Sequence, residues 1–498
     1  MFRGRALPRL EPDARIDVSI SNFGPISEGK FTIKPLTIFV GPNNSGKTYA
    51  ATLAHSLLSS YGRRSTPWDL AHAIHTHLSS KPFQKIISVM EKLALSSNNA
   101  KPVPIPSKCS SLARDILLGN TLKHRIIEKI QSNFGTDPKN LIRFNTKSSC
   151  INMLYNSTMR ATLHKDKDPT VKLQKLTKPY VLRNYDGEIQ IYEGGQDKHS
   201  DSNPFHSLPH SYATTALEIL GYTKNLGLEA FLTLALTIEQ HYIDHQPHSY
   251  YLPAARAGIL SAYDTIVSSV MQNAQYAGTR PFKIQQLSGV TSDFITHLID
   301  VNARLSARSN RNNAMIKDMF GGSIVMSKPK AGLPKLIYRT SGTDIPMNRS
   351  SSGITETAPL QILQNHVPRY DILVLEEPEA HLHPENQTKL ARHIVRFVKK
   401  GTRVMIITHG VFFLEQLSMF VRMSKISSAE RNKLGYDDDD FINDSDIAPY
   451  MFKPNTKGGY SILELNHSAD EGIWQDEFIN VSESMYAKDV KIDQFIDP

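Results

Sequence analysis

The residues best suited to chemistry lie in a short loop after an apolar run. The run Leu36–Val40 is followed by Gly41-Pro42-Asn43-Asn44-Ser45-Gly46-Lys47-Thr48. A glycine-rich loop that ends in Gly-Lys-Thr turns its backbone N–H groups toward phosphate oxygens, and the helix after it adds the positive end of its dipole. Lys47 is placed to bridge the β- and γ-phosphates of a nucleotide, and the Thr48 hydroxyl is placed to ligate Mg²⁺. The pattern predicts a triphosphate site between a buried strand and an apolar helix.

A pair of carboxylates follows another apolar run in the C-terminal half. The run Asp371–Leu375 ends in Glu376-Glu377-Pro378-Glu379. A buried strand delivers such residues at its carboxyl end, where ligands of open α/β sheets bind. We expect Glu376 to hold Mg²⁺ through its water shell and Glu377 to orient or deprotonate the attacking water. Solvated carboxylates at a strand end are the alternative, which the upstream phosphate loop disfavours.

Two more stretches could contact a triphosphate. The apolar run Arg403–Thr408 ends in His409, whose neutral imidazole could donate to the γ-phosphate or to the attacking water. A plain polar cap is the alternative for this histidine. Ser351-Ser352-Gly353 opens an apolar helix, where it is first of all an N-cap, but free N–H groups at such an end also bind anions. Those two interpretations are compatible.

Composition bounds the class of protein. The chain has 498 residues, 40% of them hydrophobic, which is enough for a large core and two to four lobes. No apolar run approaches the roughly 20 residues that span a bilayer, and no signal-peptide core is visible. Cys109 and Cys150 form neither a metal-ligand spacing nor a disulfide framework. We therefore expect a cytoplasmic protein without a membrane partner. The net charge of +9 permits nucleic-acid contact without requiring it.

The pattern between the motifs alternates between helical and β-like segments. Helices are expected over 68–134 and 213–243 and again from after Gly258 to about Ser309, and strands within 141–192, at 250–252, and at 323–326 and 335–338. A surface loop is expected over 194–211 and a solvated acidic loop over Asp437–Asp440. No internal repeat or sustained heptad pattern is present, so long coiled-coil arms are not expected.

In this order the motifs resemble those of ABC-type ATPases of the SMC, RecF and OLD group. The greatest likeness is to AAA-family ATPase subunits of bacterial anti-phage defence systems such as PARIS, Septu and some retrons. The matching residues are Asn22-Phe23-Gly24-Pro25, the loop from Gly41 to Thr48, Leu252-Pro253-Ala254, Ser351-Ser352-Gly353, Glu376-Glu377-Pro378-Glu379-Ala380-His381-Leu382-His383-Pro384, and Thr408-His409.

The resemblance implies an α/β fold, a P-loop ABC-type ATPase head with a mixed sheet plus helices. It also implies a large helical and β insertion and no long coiled coil. The expected domains are an N-terminal ATPase part with the phosphate loop, an inserted region, a C-terminal ATPase part with the signature turn, acidic pair and histidine, and a C-terminal extension: 1–62, 63–320, 321–425 and 426–498. The cofactors implied are ATP and Mg²⁺.

The resemblance further implies a head-to-tail homodimer or higher homo-oligomer with ATP between two copies. Ser352 would contact the γ-phosphate bound by the phosphate loop of the other copy, and His381-Leu382-His383 would lie near the seam. The implied catalytic residues are Lys47, Glu377 and His409, the metal ligands are Thr48 and Glu376, and the nucleotide-binding residues are Gly41, Pro42, Asn43, Asn44, Ser45, Gly46, Lys47, Thr48, Ser351, Ser352 and Gly353. Loss of the γ-phosphate would let the heads part.

Two family features have no clear counterpart. The glutamine that couples the lobes is left open among Gln240, Gln285 and Arg256. The Toprim nuclease domain of OLD relatives needs a strand ending in Glu before an Asp-x-Asp pair, and Asp444-Ser445-Asp446 lacks that strand.

The expected function is a sensor or regulatory ATPase of a defence system. It would control a separate effector, because no second catalytic constellation is visible. The alternatives are a RecF- or SMC-like DNA repair clamp, an OLD-type nuclease without a recognisable Toprim domain, and an importer ATPase, which should show a clear glutamine loop. Steep salt dependence of DNA binding would favour the clamp.

Overall fold

The computed structural model describes residues 15–492, with gaps at 61–65, 98–101, 118–121, 156, 175–178, 186–187, 194–207, 245–246, 264, 266–286, 306–313, 328–334, 364–366, 370, 457, 475–482 and 491. The chain divides into two compact units. The first unit comprises Met1–Gly24 and Leu53–His248, and the second comprises Pro25–Thr52 and Ser249–Pro498. The domain limits expected from the sequence stay a prediction.

The strands follow in chain order: β1 (Ile16–Phe23), β2 (Ile26–Ile33), β3 (Leu36–Val40), β4 (Val103–Pro104), β5 (Ser148–Tyr155), β6 (Ser157–His164), β7 (Thr170–Gln174), β8 (Tyr180–Tyr185), β9 (Glu188–Glu193), β10 (Ser249–Leu252), β11 (Ser323–Ser327), β12 (Lys335–Thr340), β13 (Thr343–Pro346), β14 (Ile372–Glu376), β15 (Arg403–Ile407), β16 (Ile447–Pro454), β17 (Tyr460–Glu464), β18 (His467–Ser468) and β19 (Gly472–Ile473).

The helices are α1 (Lys47–Ser60), α2 (Pro67–His75), α3 (Lys81–Ser96), α4 (Ser107–Leu117), α5 (Lys123–Phe134), α6 (Leu208–Ile219), α7 (Leu226–Asp244), α8 (Gly289–Leu305), α9 (Ala314–Phe320), α10 (Ser352–Leu363), α11 (Pro384–Lys399), α12 (Val411–Arg422) and α13 (Ser428–Lys433). Within the described ranges, no helix combines the length and hydropathy needed to cross a lipid bilayer.

The second unit is built on a mixed sheet. Its strands lie in the order β10-β14-β15-β3-β16-β17-β2. The first five are mutually parallel, whereas β17 runs antiparallel to β16. All residues of β3 and β15 are buried, as expected for central parallel strands that are covered on both faces. The predicted α/β fold with a mixed sheet plus helices is thus confirmed.

The register of the parallel strands sets where the site must form. Glu376 at the end of β14 pairs with Ile407 on β15, and Ile407 pairs with Phe39 on β3. The carboxyl ends of the three strands therefore meet at one edge of the sheet. Side chains that follow these strands are brought together there, at the edge where ligands of open α/β sheets bind.

The C-terminal region supplies a central strand of this sheet. β16 pairs in parallel with β3, with Met451 opposite Val40. The rings of Phe39 and Phe452 lie 5.2 Å apart in an edge-to-face arrangement that strengthens this contact. The residues beyond 425 thus complete the sheet that carries the phosphate loop.

The first unit combines helices with two antiparallel sheets. One sheet has the order β1-β5-β6-β7 and the other β4-β8-β9. The strands Tyr180–Tyr185 and Glu188–Glu193, at the end of the region 141–192 where strands are expected, pair in an antiparallel register. Phe83 of α3 and Phe231 of α7 meet edge to face at 5.1 Å in the helical core. The loop expected over 194–211 lies outside the described residues up to 207, and Leu208–Ser211 belongs to α6 instead.

The acidic run Asp437–Asp440 differs from the solvated loop expected for it. Asp440 is fully buried. Its carboxylate accepts hydrogen bonds from Nε of Arg392 at 2.7 Å and from Nε of Arg396 at 2.6 Å. The prediction was wrong for Asp440, because both arginines come from α11, which is remote in sequence. Asp438 and Asp439 are exposed as expected.

Candidate functional site

The loop between β3 and α1 requires glycine at both ends. Gly41 has a φ of 137° and Gly46 a φ of 101°, a region that other residues rarely adopt. A Cβ at Gly41 would lie 2.8 Å from the main-chain oxygen of Phe452, and a Cβ at Gly46 would lie 2.8 Å from Cγ1 of Ile26. Close packing of the loop ends thus fixes the backbone of the segment 42–45 between them.

Lys47, the first residue of α1, folds back over this loop. Its Nζ donates to the main-chain oxygens of Gly41 at 2.8 Å and Pro42 at 2.6 Å. Burial lowers the pKa of the ammonium to about 8, although the charge of Glu377 opposes the shift. The cation is therefore held by backbone dipoles at the place where phosphate oxygens would compete for it.

Glu376 is held in place by the segment that follows β10. The hydroxyl of Tyr251 donates to Oε1 of Glu376 at 2.5 Å, and the N–H of Ala254 donates to Oε2 at 2.9 Å. The Tyr251 hydroxyl also lies 3.2 Å from Oγ1 of Thr52 on α1. Burial first, and then the charge of Glu376, raise the pKa of Tyr251 well above its ordinary value. The tyrosine thus remains a proton donor to the carboxylate.

Glu377 stands in a left-handed backbone conformation, with a φ of 41°. Such a conformation is costly for a residue with a side chain and persists where the surroundings impose it. The N–H of Glu377 donates to the main-chain oxygen of Ile407 at 2.8 Å. Its own main-chain oxygen accepts from Nη2 of Arg256 at 3.0 Å. Both peptide groups that flank the Cα are therefore fixed.

Glu379 organises the turn after β15. Its Oε1 accepts from Oγ1 of Thr408 at 2.6 Å and from the N–H groups of His409 and Gly410, both at 2.9 Å. Gly410 leaves just enough room, because a Cβ there would lie 2.7 Å from Cγ of Glu379. A buried carboxylate thus sets the direction in which His409 leaves the strand.

The imidazole of His409 faces the same cavity as Lys47. Burial lowers its pKa, and the ammonium of Lys47 lowers it further, against the opposing charges of nearby glutamates. The ring is therefore neutral at neutral pH, with one nitrogen that can donate a hydrogen bond.

These side chains surround one cavity of about 750 Å³, a size typical of small-molecule sites. The structure brings together all five residues proposed for catalysis or metal binding. The lining consists of Pro25, Asn43, Asn44, Ser45, Gly46, Lys47, Thr48, Tyr49, Ala254, Glu376, Glu377, Ile407 and His409. Gly41 and Pro42 lie beneath, as acceptors for Lys47.

Residues 16–414 match the AAA ATPase domain family, a span of well over half the chain. The chain belongs to this family. This AAA ATPase hydrolyses ATP, as its family membership indicates. No curated protein matches its sequence.

Solved structures of SMC head domains are similar to the AAA ATPase over most of their length. The SMC head domain from Thermotoga maritima is 12% identical, with a TM-score of 0.34, and the match covers 90% of this chain and 98% of that one. A Pyrococcus furiosus Smc head domain with an extended coiled coil, bound to the C-terminal domain of ScpA, is 12% identical with a TM-score of 0.35, covering 94% and 98%. An SmcHead bound to the C-winged helix domain of ScpA is 11% identical with a TM-score of 0.35, covering 90% and 97%.

The chemistry of the cavity fits ATP with Mg²⁺. Lys47 offers a cation to phosphate oxygens, and Thr48 and Glu376 offer the oxygen ligands that Mg²⁺ prefers. Both carboxylate oxygens of Glu376 already accept hydrogen bonds from Tyr251 and Ala254. These two bonds fix the orientation of the carboxylate and leave a second lone pair on each oxygen.

The serine turn expected to contact a triphosphate, Ser351–Gly353, does not line this cavity. Ser351 and Ser352 are exposed at the start of α10, and neither they nor Gly353 line the cavity. The side chain of His381, which has a φ of 60°, is 63% exposed. His383 is exposed as the N-cap of α11. The two serines and the two histidines are thus exposed to solvent in a single copy of the chain.

The candidates for the coupling residue have different positions. Gln240 lies in α7 of the first unit, and Gln285 lies outside the described residues. Arg256 is buried beside the acidic pair, where it contacts the main-chain oxygens of Glu376 and Glu377.

Tyr251, Ala254 and Glu379 have positions in the site that no motif predicted. A signal existed for each, since all three belong to segments that the family resemblance or the strand pattern singled out. Their partners are the polar residues at the neighbouring strand ends. Asp444–Asp446 forms an exposed single turn, and among the described residues no group of three or more histidine, cysteine or acidic side chains could hold a metal ion.

Proposed function

We propose that this AAA ATPase is a nucleotide-switched homodimer that controls a separate effector protein. The regulatory ATPases of bacterial anti-phage defence systems, which its motifs resemble, provide the biological context. The proposal has three parts: residue roles in the ATP site, completion of the site by a second copy, and control of a partner.

Within the site, each side chain has one role. Lys47 would bind phosphate oxygens in place of its backbone acceptors, and Thr48 and Glu376 are the residues that would hold Mg²⁺. Bound Mg²⁺ neutralises phosphate charge and makes the γ-phosphorus a better electrophile. The carboxylate of Glu377 takes a proton from the attacking water, and the neutral ring of His409 donates a hydrogen bond that orients the γ-phosphate.

The position of the serine turn carries the proposal of a dimer. Ser351 and Ser352 are exposed and do not line the cavity of their own chain. The start of α10 offers free N–H groups, which favour an anion. In the proposed assembly, this turn of one copy contacts the γ-phosphate held by Lys47 of the other copy. Hydrolysis then removes the shared ligand and lets the copies part.

A hydrolysis-deficient variant tests this switch. With MgATP, Glu377→Gln is expected to bind ATP, to lose about 100-fold or more in turnover, and to sediment as a dimer. Ser352→Arg in the same background should keep ATP binding but remain monomeric, because the added side chain blocks the docking turn. Lys47→Ala should neither bind ATP nor dimerise. Turnover near the parental rate in Glu377→Gln, or a monomer at saturating ATP, contradicts the proposal.

Control of an effector is tested in the native host. Tagged Glu377→Gln and Lys47→Ala are isolated in parallel with ATP, and the protein encoded beside the ATPase gene is quantified in each eluate. We expect the amount of this neighbouring protein to differ between the two eluates, because Glu377→Gln holds ATP and Lys47→Ala does not bind it. Equal amounts in both eluates contradict a nucleotide-controlled effector.

A further inference from the structure

The guanidinium of Arg256 is the most heavily bonded charged group beside the site. The residue is 3% exposed. Nη1 donates to the main-chain oxygens of Pro253 at 3.1 Å and Glu376 at 2.6 Å, and Nη2 donates to that of Glu377 at 3.0 Å. Nε lies 2.9 Å from both the main-chain oxygen and Oε2 of Glu356. One side chain thus joins three segments of the second unit.

These three segments have different parts in the proposed switch. Pro253 follows β10 in the turn that holds Glu376 through Ala254. Glu376 and Glu377 end β14. Glu356 lies in α10, one helical turn after Ser352, and it is itself buried at 2% exposure.

Burying the ion pair of Arg256 and Glu356 is energetically costly. Its benefit is therefore that it positions neighbouring groups, and not that it stabilises the core. Burial opposes the charge of both partners, lowering the pKa of Arg256 and raising the pKa of Glu356. Apolar residues of similar volume would stabilise such a core equally well or better. A planar guanidinium, however, can bind several carbonyl oxygens at fixed angles, which neither an apolar residue nor a lysine can do.

Glu377 is the residue whose position depends most on these bonds. Its left-handed backbone is fixed on one side by the bond from its N–H to Ile407. On the other side, its main-chain oxygen accepts from the N–H of Ala380 within the same turn and from Nη2 of Arg256, both at 3.0 Å. Arg256 is the partner that ties this oxygen to another segment, so without it only the local turn holds the direction of the carboxylate.

We propose that Arg256, together with Glu356, is the positioning unit that aligns Glu377 for hydrolysis and links this alignment to α10. The inference rests on the proposed function, since it assigns a regulator to the same site. A displacement of the serine turn on docking moves Glu356, and Arg256 carries the movement to the backbone of Glu377. Arg256 does not line the cavity, so it acts through the residues that it holds.

The test separates alignment from stability by means of Arg256→Lys. Lysine keeps a cation next to Glu356, but its single nitrogen cannot reproduce the separate bonds that Nε, Nη1 and Nη2 make to Glu356, Glu376 and Glu377. We expect ATP binding, measured with a fluorescent ATP analogue, to change less than about threefold, while kcat falls about 10- to 100-fold with KM nearly unchanged. A parental kcat in folded Arg256→Lys overturns the inference.

Arg403→Lys is the matched control. Arg403 is also a buried arginine at 6% exposure that donates to a main-chain oxygen, that of Ile33, at 3.2 Å. It begins β15, at the end of the strand remote from His409. We expect this variant to lose stability but to keep the parental kcat. An equal loss of kcat in both lysine variants overturns the inference, because it would show a general effect of weakening the sheet.

If Arg256→Lys fails to fold, Arg256→Met combined with Glu356→Met removes both charges from the core and serves in its place. Loss of kcat with retained ATP binding in this double variant supports the positioning role, whereas a parental kcat overturns it. Hydrolysis and dimerisation of the parental protein distinguish failure of this inference from failure of the proposed function. If the parental protein hydrolyses ATP but never dimerises, the switch is wrong, and the kcat of the Arg256 variants still decides the alignment of Glu377.

Discussion

The hydroxyl of Tyr251 donates a 2.5 Å hydrogen bond to Oε1 of Glu376, so a fully buried tyrosine orients the carboxylate proposed to hold magnesium. Charge-assisted bonds of this kind fix metal-binding groups, and their loss typically weakens metal affinity or activity. In Tyr251→Phe we expect the Mg²⁺ concentration for half-maximal ATPase activity to rise about tenfold. The measurement is the hydrolysis rate at saturating ATP against free Mg²⁺.

Tyr250→Phe is the control for this prediction. Tyr250 precedes Tyr251 in β10 and packs toward His297, with ring centroids 4.8 Å apart. Successive strand residues face opposite sides, so the Tyr250 ring points away from Glu376. The Mg²⁺ dependence of Tyr250→Phe should match that of the parent. An unchanged dependence in folded Tyr251→Phe would show that Glu376 needs no such support.

ATP affinity is expected to fall as the pH rises above 8. Burial lowers the pKa of Lys47 to about 8 against the charge of Glu377, so the ammonium in the empty site loses its proton through that pH range. Binding then requires uptake of a proton, and Kd for ATP should increase about tenfold between pH 7 and pH 9. Equilibrium titration with a fluorescent ATP analogue across this range measures the effect.

Lys47→Arg separates the lysine from other titrating groups. A guanidinium remains charged throughout this pH range, so the Kd of the variant should be constant with pH even where binding is weaker overall. The same pH slope in both proteins would assign the effect to a different group.

Gly410→Ala is expected to destabilise the protein by steric contact alone. Gly410 has a φ of −81°, which any residue adopts, but its Cβ would lie 2.7 Å from Cγ of Glu379. Forcing this carboxylate aside should cost about 1–3 kcal/mol in the free energy of unfolding and should lower the ATPase rate by disturbing His409. Urea unfolding and steady-state hydrolysis measure the two effects.

Gly258→Ala is the matched substitution. A Cβ at Gly258 meets nothing within 4 Å, and the residue lies in a helical segment. Alanine is favoured over glycine in helices, so this variant should be as stable as the parent or more stable by up to about 1 kcal/mol. Equal destabilisation by both alanines would refute the steric explanation.

Asp440→Asn is expected to lower stability by about 2–4 kcal/mol at neutral pH, since it leaves two half-buried guanidinium groups with a weaker, buried partner. Burial raises the pKa of Asp440, but hydrogen bonds from Arg396 and Arg392 outweigh it and hold the pKa below 3.8. The stabilisation is therefore fully present above about pH 4 and is lost as the pH falls through the folded-state pKa. Urea unfolding at several pH values measures this.

The difference between the parent and Asp440→Asn should accordingly shrink in acid. Asp439→Asn, an exposed neighbour, should change stability by less than about 0.5 kcal/mol at any pH. A difference for Asp440→Asn that stays constant down to pH 2 would contradict the ion-pair explanation.

The sequence predicted which strand ends meet, because each of the three motifs follows an apolar run directly. Lys47, Glu376 and His409 line one cavity since the strands before them are parallel neighbours. Their chemical roles remain predictions. What the pattern could reveal was local: a strand, the turn after it, and the polar residues at that turn.

The contacts that support these residues could not be predicted in the same way. Arg256 reaches oxygens about a hundred residues away and binds main-chain atoms, which are identical for all residue types and leave no pattern in the sequence. Asp440 looked solvated because its neighbours in sequence are acidic, whereas its partners Arg392 and Arg396 lie on a helix remote in the chain. Burial of charge is decided by tertiary contacts, not by local composition.

The pairing of β16 with β3 has a consequence for synthesis on the ribosome. The main-chain oxygen of Phe452 packs against Gly41, and β16 lies alongside the strand that leads into the phosphate loop. A nascent chain in which residues 447–454 are still inside the exit tunnel lacks this neighbour, although every motif of the ATP site has been translated. The sheet that carries the phosphate loop is thus complete only after residues 447–454 have left the exit tunnel.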